Sequence, residues 1–171
     1  MYKILTILFT ITIFISCQQQ EPQRVRHLHK TDLIDSTAMA KLLLNRQMTE
    51  AADRDCNAFV QKDSLHYVKD NAGFWYVQTI ERNDHTIEKG QKILVDIQLS
   101  ELNGNIISNI DHLEYVLGSG DLPISIARSI NKMSIGEQVR IVSPWYTAYG
   151  VNGTTNVQPY SNLLIILTIV E

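Results

Sequence analysis

The stretch LLIILTIV, Leu163 to Val170, is almost without polar side chains. Its length and its β-branched residues read as a β-strand. A strand with one wet face alternates apolar and polar residues, and this one does not. It needs cover on both faces, or on one face and at an interface. The chain must therefore build a sheet with this strand at its centre and find apolar material for each side.

Other strands are legible by alternation. Ile93, Val95, Ile97 and Leu99 alternate with Lys92, Leu94, Asp96 and Gln98, which gives one buried and one solvated face. In GFWYVQTIE, Phe74, Tyr76 and Gln78 share one face, and Trp75, Val77 and Thr79 the other. Asn83 to Gly90 reads as a polar loop. Asn103-Gly104 is a hairpin turn, and Ile106-Ile107 begins the return strand. Leu113–Leu117 reads as a further short strand, and Val139–Val142 as another. Between them, Asp121-Leu122-Pro123 predicts a helix start with Asp121 as cap and Pro123 in the first turn. Ile126, Ile130 and Met133 form one apolar stripe on that helix, and Gly136 lies just past its end. The expected class is α+β, a twisted antiparallel sheet wrapped on one short helix in its concave face.

A helical extension precedes this sheet. Thr31 to Lys62 has no Gly or Pro and is rich in helix formers, with Asp35 or Ser36 as cap. It predicts one long amphipathic helix or two shorter ones. Met39, Leu42, Leu43 and Arg46, then Met48, Ala51, Ala52, Cys56, Phe59 and Val60, recur at helical spacing. The Met and Leu stripe is expected to dock on the next domain, or alternatively the Met39–Val60 helix to form a homodimer interface. Cys56 has acidic and amide neighbours, Asp55 and Asn57, so buried packing is expected rather than reactivity.

The N-terminus, MYKILTILFTITIFISC, sets Lys3 before an apolar run too short to span a bilayer. It reads as a signal peptide over residues 1–16. The small residue followed by Cys resembles a bacterial lipoprotein signal with Cys17 lipidated, the alternative being an ordinary cleaved signal with an incidental Cys. Residues 17–30, polar and aperiodic, read as a tether to the membrane, with His27 and His29 as solvated linker residues. The remaining organisation is a helical extension over 31–70 and a sheet domain over 71–171. The net charge of −3 and the lack of a basic cluster argue against a nucleic-acid partner.

Together, KGQKILVDIQL, LNGNII, YVLGSGDLPISIARSINKMSIGEQVRIVSPWYTAYG and VQPYSNLLIILTIV resemble the FK506-binding-protein family of peptidyl-prolyl isomerases. The specific marks are a Leu-Gly pair at 117–118, Met133 followed by Ile135-Gly136-Glu137, and Pro144 leading to Ala148-Tyr149-Gly150. The resemblance covers Gly73 to Glu171. The helical lead-in and Cys17 are similar to envelope lipoproteins of Bacteroidetes, closest among them the gliding-motility-associated isomerase lipoproteins. The resemblance implies a periplasm-facing, lipid-anchored isomerase that assists folding of exported or envelope proteins. The alternative it leaves is a non-catalytic binding module or chaperone. It implies proline-containing polypeptide segments as partners, and no cofactor or metal.

By position, the resemblance places the substrate pocket at Ile97, Ile107, Leu113, Leu122, Pro123, Ile126, Val157 and Ile165, with Tyr149 as hydroxyl donor. Aromatic residues are usual in the family at Ile97, Ile107, Leu113, Ile126 and Ile165, and an acidic one at Ser108. The segment Ser108–Tyr115 is shorter than in typical members, which removes one pocket wall. Pro123 stands where the family supplies a backbone N–H to the substrate carbonyl, and proline has none. Trp145 and Tyr146 are expected either to cap the sheet edge or to widen the recognition surface.

Overall fold

This computed structural model describes residues 30–82 and 87–170, with a single compact unit over Lys41–Glu171. Cys17, the His27/His29 pair and the first part of the Asn83–Gly90 loop lie outside the described residues.

One continuous helix, α1 (Lys30–Lys62), opens the described chain. It starts upstream of Asp35 and Ser36, so neither caps it. Its C-terminal half, not the Met39–Leu43 stripe, does the docking. Met39, Leu42 and Leu43 are 57%, 63% and 52% exposed, whereas Ala52 and Cys56 are buried. The reason lies in what each stretch meets. Cys56 packs with Trp75, Val142 and Leu164 on the outer face of the sheet, with Phe59 and Val60 beside them.

The sheet has six antiparallel strands: β1 (Val68–Lys69), β2 (Trp75–Ile80), β3 (Lys92–Glu101), β4 (Ile106–Val116), β5 (Gln138–Ser143) and β6 (Leu163–Ile169), in the spatial order β1-β2-β5-β6-β3-β4. The apolar run is thus central, flanked by β5 and β3. Leu163, Ile165, Leu167 and Ile169 enter the inner core, and Leu164 joins the outer cluster beneath α1. The inner face of β6 is buried throughout, whereas its outer face is covered at Leu164 and leaves Ile166 and Thr168 half-exposed beside an open groove.

Helix α2 (Ile124–Ile130) packs on the inner face through Ile126 and Ile130, both fully buried, and Met133 follows just beyond its end. Its start differs from the sequence expectation. Pro123 itself occupies the cap position, with φ −50° and ψ 147° and no side-chain cap bond. The residue before a proline is kept out of the helical region, so Leu122 cannot be helical and Asp121 is too far upstream to cap. Gly136 is not the helix terminator either. The helix ends at Asn131, and Gly136 (φ +79°) shapes the turn into β5, its N–H bonding Ile169 C=O at 2.7 Å.

Leu113–Leu117 is not a separate strand. β4 runs from Ile106 to Val116 without a loop and carries two bulges. At one, Asp111 and His112 together oppose Asp96, whose Oδ1 accepts from His112 N–H at 2.7 Å. His112 has φ +53°, a region that His enters more readily than most residues. At the other, pairing jumps from Leu99–Ser108 to Ser100–Ile106 and Ile107 is the extra residue. Each bulge shifts the in-out alternation by one. Ile107, Ile110 and Leu113, spaced by three rather than two, therefore all reach the inner core.

Candidate functional site

The inner cluster brings the sequence-predicted residues together. Ile97, Ile126, Val157 and Ile165 form its floor, each at most 2% exposed. Ile107, Leu113, Leu122 and Tyr149 are half-buried and pack on that floor as a rim. Five separate pieces of chain supply the set: β3, bulged β4, the start of α2, the loop after β5, and β6. Rings are present in the cluster, with Phe74 and Tyr76 centroids 6.1 Å apart. They come from Phe74 just before β2, Tyr76 within it and Tyr115 of β4, however, and not from the floor positions, where the side chains are aliphatic.

Tyr149 is the polar member of the rim. Its hydroxyl makes no hydrogen bond to any described residue, and burial pushes its pKa above the ordinary phenol value. It stays protonated at physiological pH and keeps a hydrogen to donate. Its backbone is held from both sides. Ala148 N–H bonds Pro144 C=O at 3.2 Å, and Gly150 N–H bonds Trp145 C=O at 2.8 Å. Val157, on the returning loop, is fixed by its N–H to Thr154 Oγ1 at 3.1 Å, and its C=O accepts from Thr154 N–H at 2.8 Å.

At the α2 start, Pro123 offers only its carbonyl, which accepts from Ala127 N–H at 2.9 Å. The next N–H, that of Ile124, lies in the first helical turn and has no acceptor within the helix. Asp70 anchors the helix from its other end. Its buried carboxylate meets Lys132 Nζ at 2.8 Å and Arg128 Nε at 3.0 Å, and accepts from Ala72 N–H. Burial opposes the charge on Asp70, but the Lys132 and Ala72 hydrogen bonds and the two cations outweigh it and lower its pKa. Glu137 of the Gly-Glu pair is buried and structural, accepting from Ser134 N–H at 2.8 Å and Arg82 N–H at 2.9 Å.

Several contributors escaped the sequence reading. Ser125, Ser143 and Thr147 form a buried hydroxyl chain beneath the rim, with both links at 2.9 Å. Trp145 and Tyr146 neither cap an edge nor line the cleft. Tyr146 bonds Asp53 of α1, and Trp145 packs edge-on with Tyr146 and Tyr160. Cys56 is buried and its pKa is pushed up to about 12, first by burial and then by Asp53 and Asp55. An open groove of about 660 Å³ lies on the outer side, lined by Phe59, Lys62, Glu101 and Leu102 among others; its mixed, charged lining does not suit a prolyl ring. Among the described residues, no group of three or more His, Cys, Asp or Glu side chains could hold a metal ion.

The arrangement is a half-exposed apolar rim over a buried aliphatic floor, with one phenol that bonds no described residue. Residues 83–170 match the family model for FKBP-type peptidyl-prolyl cis-trans isomerase, over slightly more than half of the chain. The chain belongs to that family. Solved structures share its fold. FkpA from Escherichia coli is similar at a TM-score of 0.61 and 16% identity, over 99% of this chain and 81% of that one. A peptidyl-prolyl cis-trans isomerase from Pseudomonas syringae pv. tomato is similar at a TM-score of 0.58 and 17% identity, over 72% of this chain and 94% of that one. AtFKBP13 is similar at a TM-score of 0.58 and 18% identity, over 63% and 98% respectively. No curated protein matches the chain.

Proposed function

We propose that this chain is a peptidyl-prolyl cis-trans isomerase, tethered to the cell envelope through a lipid on Cys17 and facing the periplasm. Its substrates are proline-containing segments of exported or envelope proteins, among them those of a gliding or secretion machine. The observation that carries the reading is Tyr149, a phenol with no hydrogen bond to any described residue, packed against the aliphatic cluster that contains Ile126 and Ile165.

The uncatalysed barrier is about 18–20 kcal/mol because the planar amide has partial double-bond character. Lowering it requires no covalent step. The prolyl ring seats on the floor, Ile107, Leu113 and Leu122 exclude water from the amide, and the Tyr149 hydroxyl donates to a peptide carbonyl. Out of water, the planar amide with its greater charge separation loses more solvation than the twisted one, so the barrier between them falls. Without an N–H on Pro123, the carbonyl preceding proline is left to Tyr149 or to the Ile124 N–H.

Protease-coupled isomerisation of Xaa-Pro peptides tests the reading. The full chain should accelerate the reaction, and Tyr149→Phe should lower kcat/KM by about tenfold, the worth of one desolvated hydrogen bond. No acceleration over the spontaneous rate on any peptide would reject it. The aliphatic floor and Pro123 also support a second reading, a binding module that holds such segments without turning them over. In that case a proline peptide would bind, Tyr149→Phe would weaken it, and isomerisation would stay at the spontaneous rate. The exposed Met39, Leu42 and Leu43 further support a homodimer through α1, which a monomer in sedimentation at micromolar concentration would exclude.

A further inference from the structure

The one-turn helix Trp145–Thr147 joins groups on the two faces of the sheet. On the outer side, Tyr146 donates its phenolic hydrogen to Asp53 Oδ1 of α1 at 2.5 Å. The Tyr146 ring lies against Gly73, where an added Cβ would come within 3.1 Å of the phenol oxygen. On the inner side, Thr147 Oγ1 is 2.9 Å from Ser143 Oγ, which donates to Ser125 Oγ at 2.9 Å. Ser125 lies in the first turn of α2 beside Ile126, and all three hydroxyl residues are at most 2% exposed.

Tyr149 follows directly from this turn. The N–H groups on either side of it, from Ala148 and Gly150, both bond carbonyls of the Pro144–Trp145 segment. The tip of its ring is not bonded to any described residue. The placement of the phenol is therefore inherited from the one-turn helix, and that helix is fixed by Asp53 on one side and by the hydroxyl chain on the other.

We propose that Asp53 is a positioning residue for the prolyl site, holding Tyr149 over the aliphatic floor through Tyr146 and the one-turn helix. The kinetic consequence rests on the isomerase reading; the structural one does not. A half-buried carboxylate accepting from a phenol forms a charge-assisted bond, stronger than a neutral contact and directional. Misplacing a catalytic group by an ångström costs up to about a hundredfold in rate. Helix α1 is then a working part of the isomerase unit rather than a spacer.

The test uses the full chain carrying Asp53→Ala, Asp53→Asn or Tyr146→Phe, each also combined with Tyr149→Phe. Asp53→Ala and Tyr146→Phe should both lower kcat/KM by about tenfold, and Asp53→Asn by no more than about twofold, because its amide oxygen still accepts from Tyr146. With Tyr149 already Phe, none of the three should lower the rate further. The ¹³C ring resonance of Tyr149, assigned through Tyr149→Phe, should move in Asp53→Ala and Tyr146→Phe but not in Asp53→Asn. An unmoved Tyr149 resonance in the first two variants, or an equal fall in rate with and without Tyr149, would overturn the proposal. A moved resonance in a chain without any turnover would reject the isomerase reading and leave the positioning intact.

Discussion

Gly150 and Gly153 both lie in the loop that carries the site, and both have left-handed backbone, at φ +70° and +61°. Their surroundings differ. A Cβ on Gly150 would meet nothing within 4 Å, whereas one on Gly153 would lie 2.2 Å from Val157 O, 2.8 Å from Pro159 N and 2.9 Å from the Gln158 carbonyl carbon. All three are backbone atoms, so no side chain can swing aside. Gly150→Ala should cost only the left-handed penalty, about 1 kcal/mol. Gly153→Ala carries the same penalty and must also push the Val157–Pro159 backbone outward by more than an ångström. That move breaks the Thr154–Val157 bonds, at about 1 kcal/mol each, and unseats a Val157 side chain only 2% exposed, worth roughly 1.5–3 kcal/mol. The expected destabilisation is about 5 kcal/mol, roughly 4 kcal/mol beyond Gly150→Ala. Urea unfolding followed through Trp75 and Trp145 fluorescence measures both variants. Values within 1 kcal/mol of each other, at equal m, would show that the loop yields freely and that Val157 is not held as described.

Other consequences are open to direct measurement. Pro123→Ala restores an N–H at the start of α2, and if it faces the substrate carbonyl, kcat/KM on Xaa-Pro peptides should rise by up to about tenfold; an unchanged or lower rate would show that this position offers no useful donor. Asp70 has a lowered pKa in the folded state, so its stabilisation is complete above its unfolded value near 4 and is lost as pH falls through the lower folded value. Asp70→Asn should therefore cost about 2 kcal/mol at pH 7 and flatten the acid limb of a stability–pH profile, and an unaltered acid limb would remove Asp70 from the account. A chain beginning at residue 71 strips cover from Trp75, Val142 and Leu164, 6%, 0% and 8% exposed, and at roughly 2 kcal/mol each should lose most of a typical 5–15 kcal/mol stability relative to one beginning at Lys41; equal urea midpoints would refute the outer cluster as a folding requirement.

The strand plan was legible because it rests on period-two burial, which a sequence displays residue by residue. The Ile93–Leu99 alternation became what its pattern required, and the unbroken Leu163–Ile169 run became the central strand, covered on its outer face at Leu164. β4 was misread as two pieces because its bulges reset the alternation, and a reset looks like an interruption. The α2 start was misplaced because an Asp two residues before a proline carries a capping signal that the pre-proline restriction on Leu122 overrides. The burial of Cys56 in α1 was legible, but which half of the helical stripe docks was not. Met39, Leu42 and Leu43 are the more apolar stripe, yet hydrophobicity alone does not say which stripe has a partner; Ala52 and Cys56, small enough to lie close on a sheet, do the packing.

The fold's two demands meet in one short segment. β6 needs cover on both faces, so the chain must place a helix on each side of the sheet. Two helices on opposite faces are independent unless something passes between them, and the sheet itself is a poor conductor of small shifts because its strands are fixed by ladder bonds. The exception is a strand end, where the ladder stops. β5 ends at Ser143, and the next residues bond outward to α1 through Tyr146 and inward to α2 through Thr147 and Ser143. This is also the point from which Tyr149 departs for the cleft. The three rings in SPWYTAYG are therefore not one aromatic surface: Trp145 and Tyr146 belong to the outer layer, Tyr149 to the inner one, and Thr147 between them makes the turn that separates their roles.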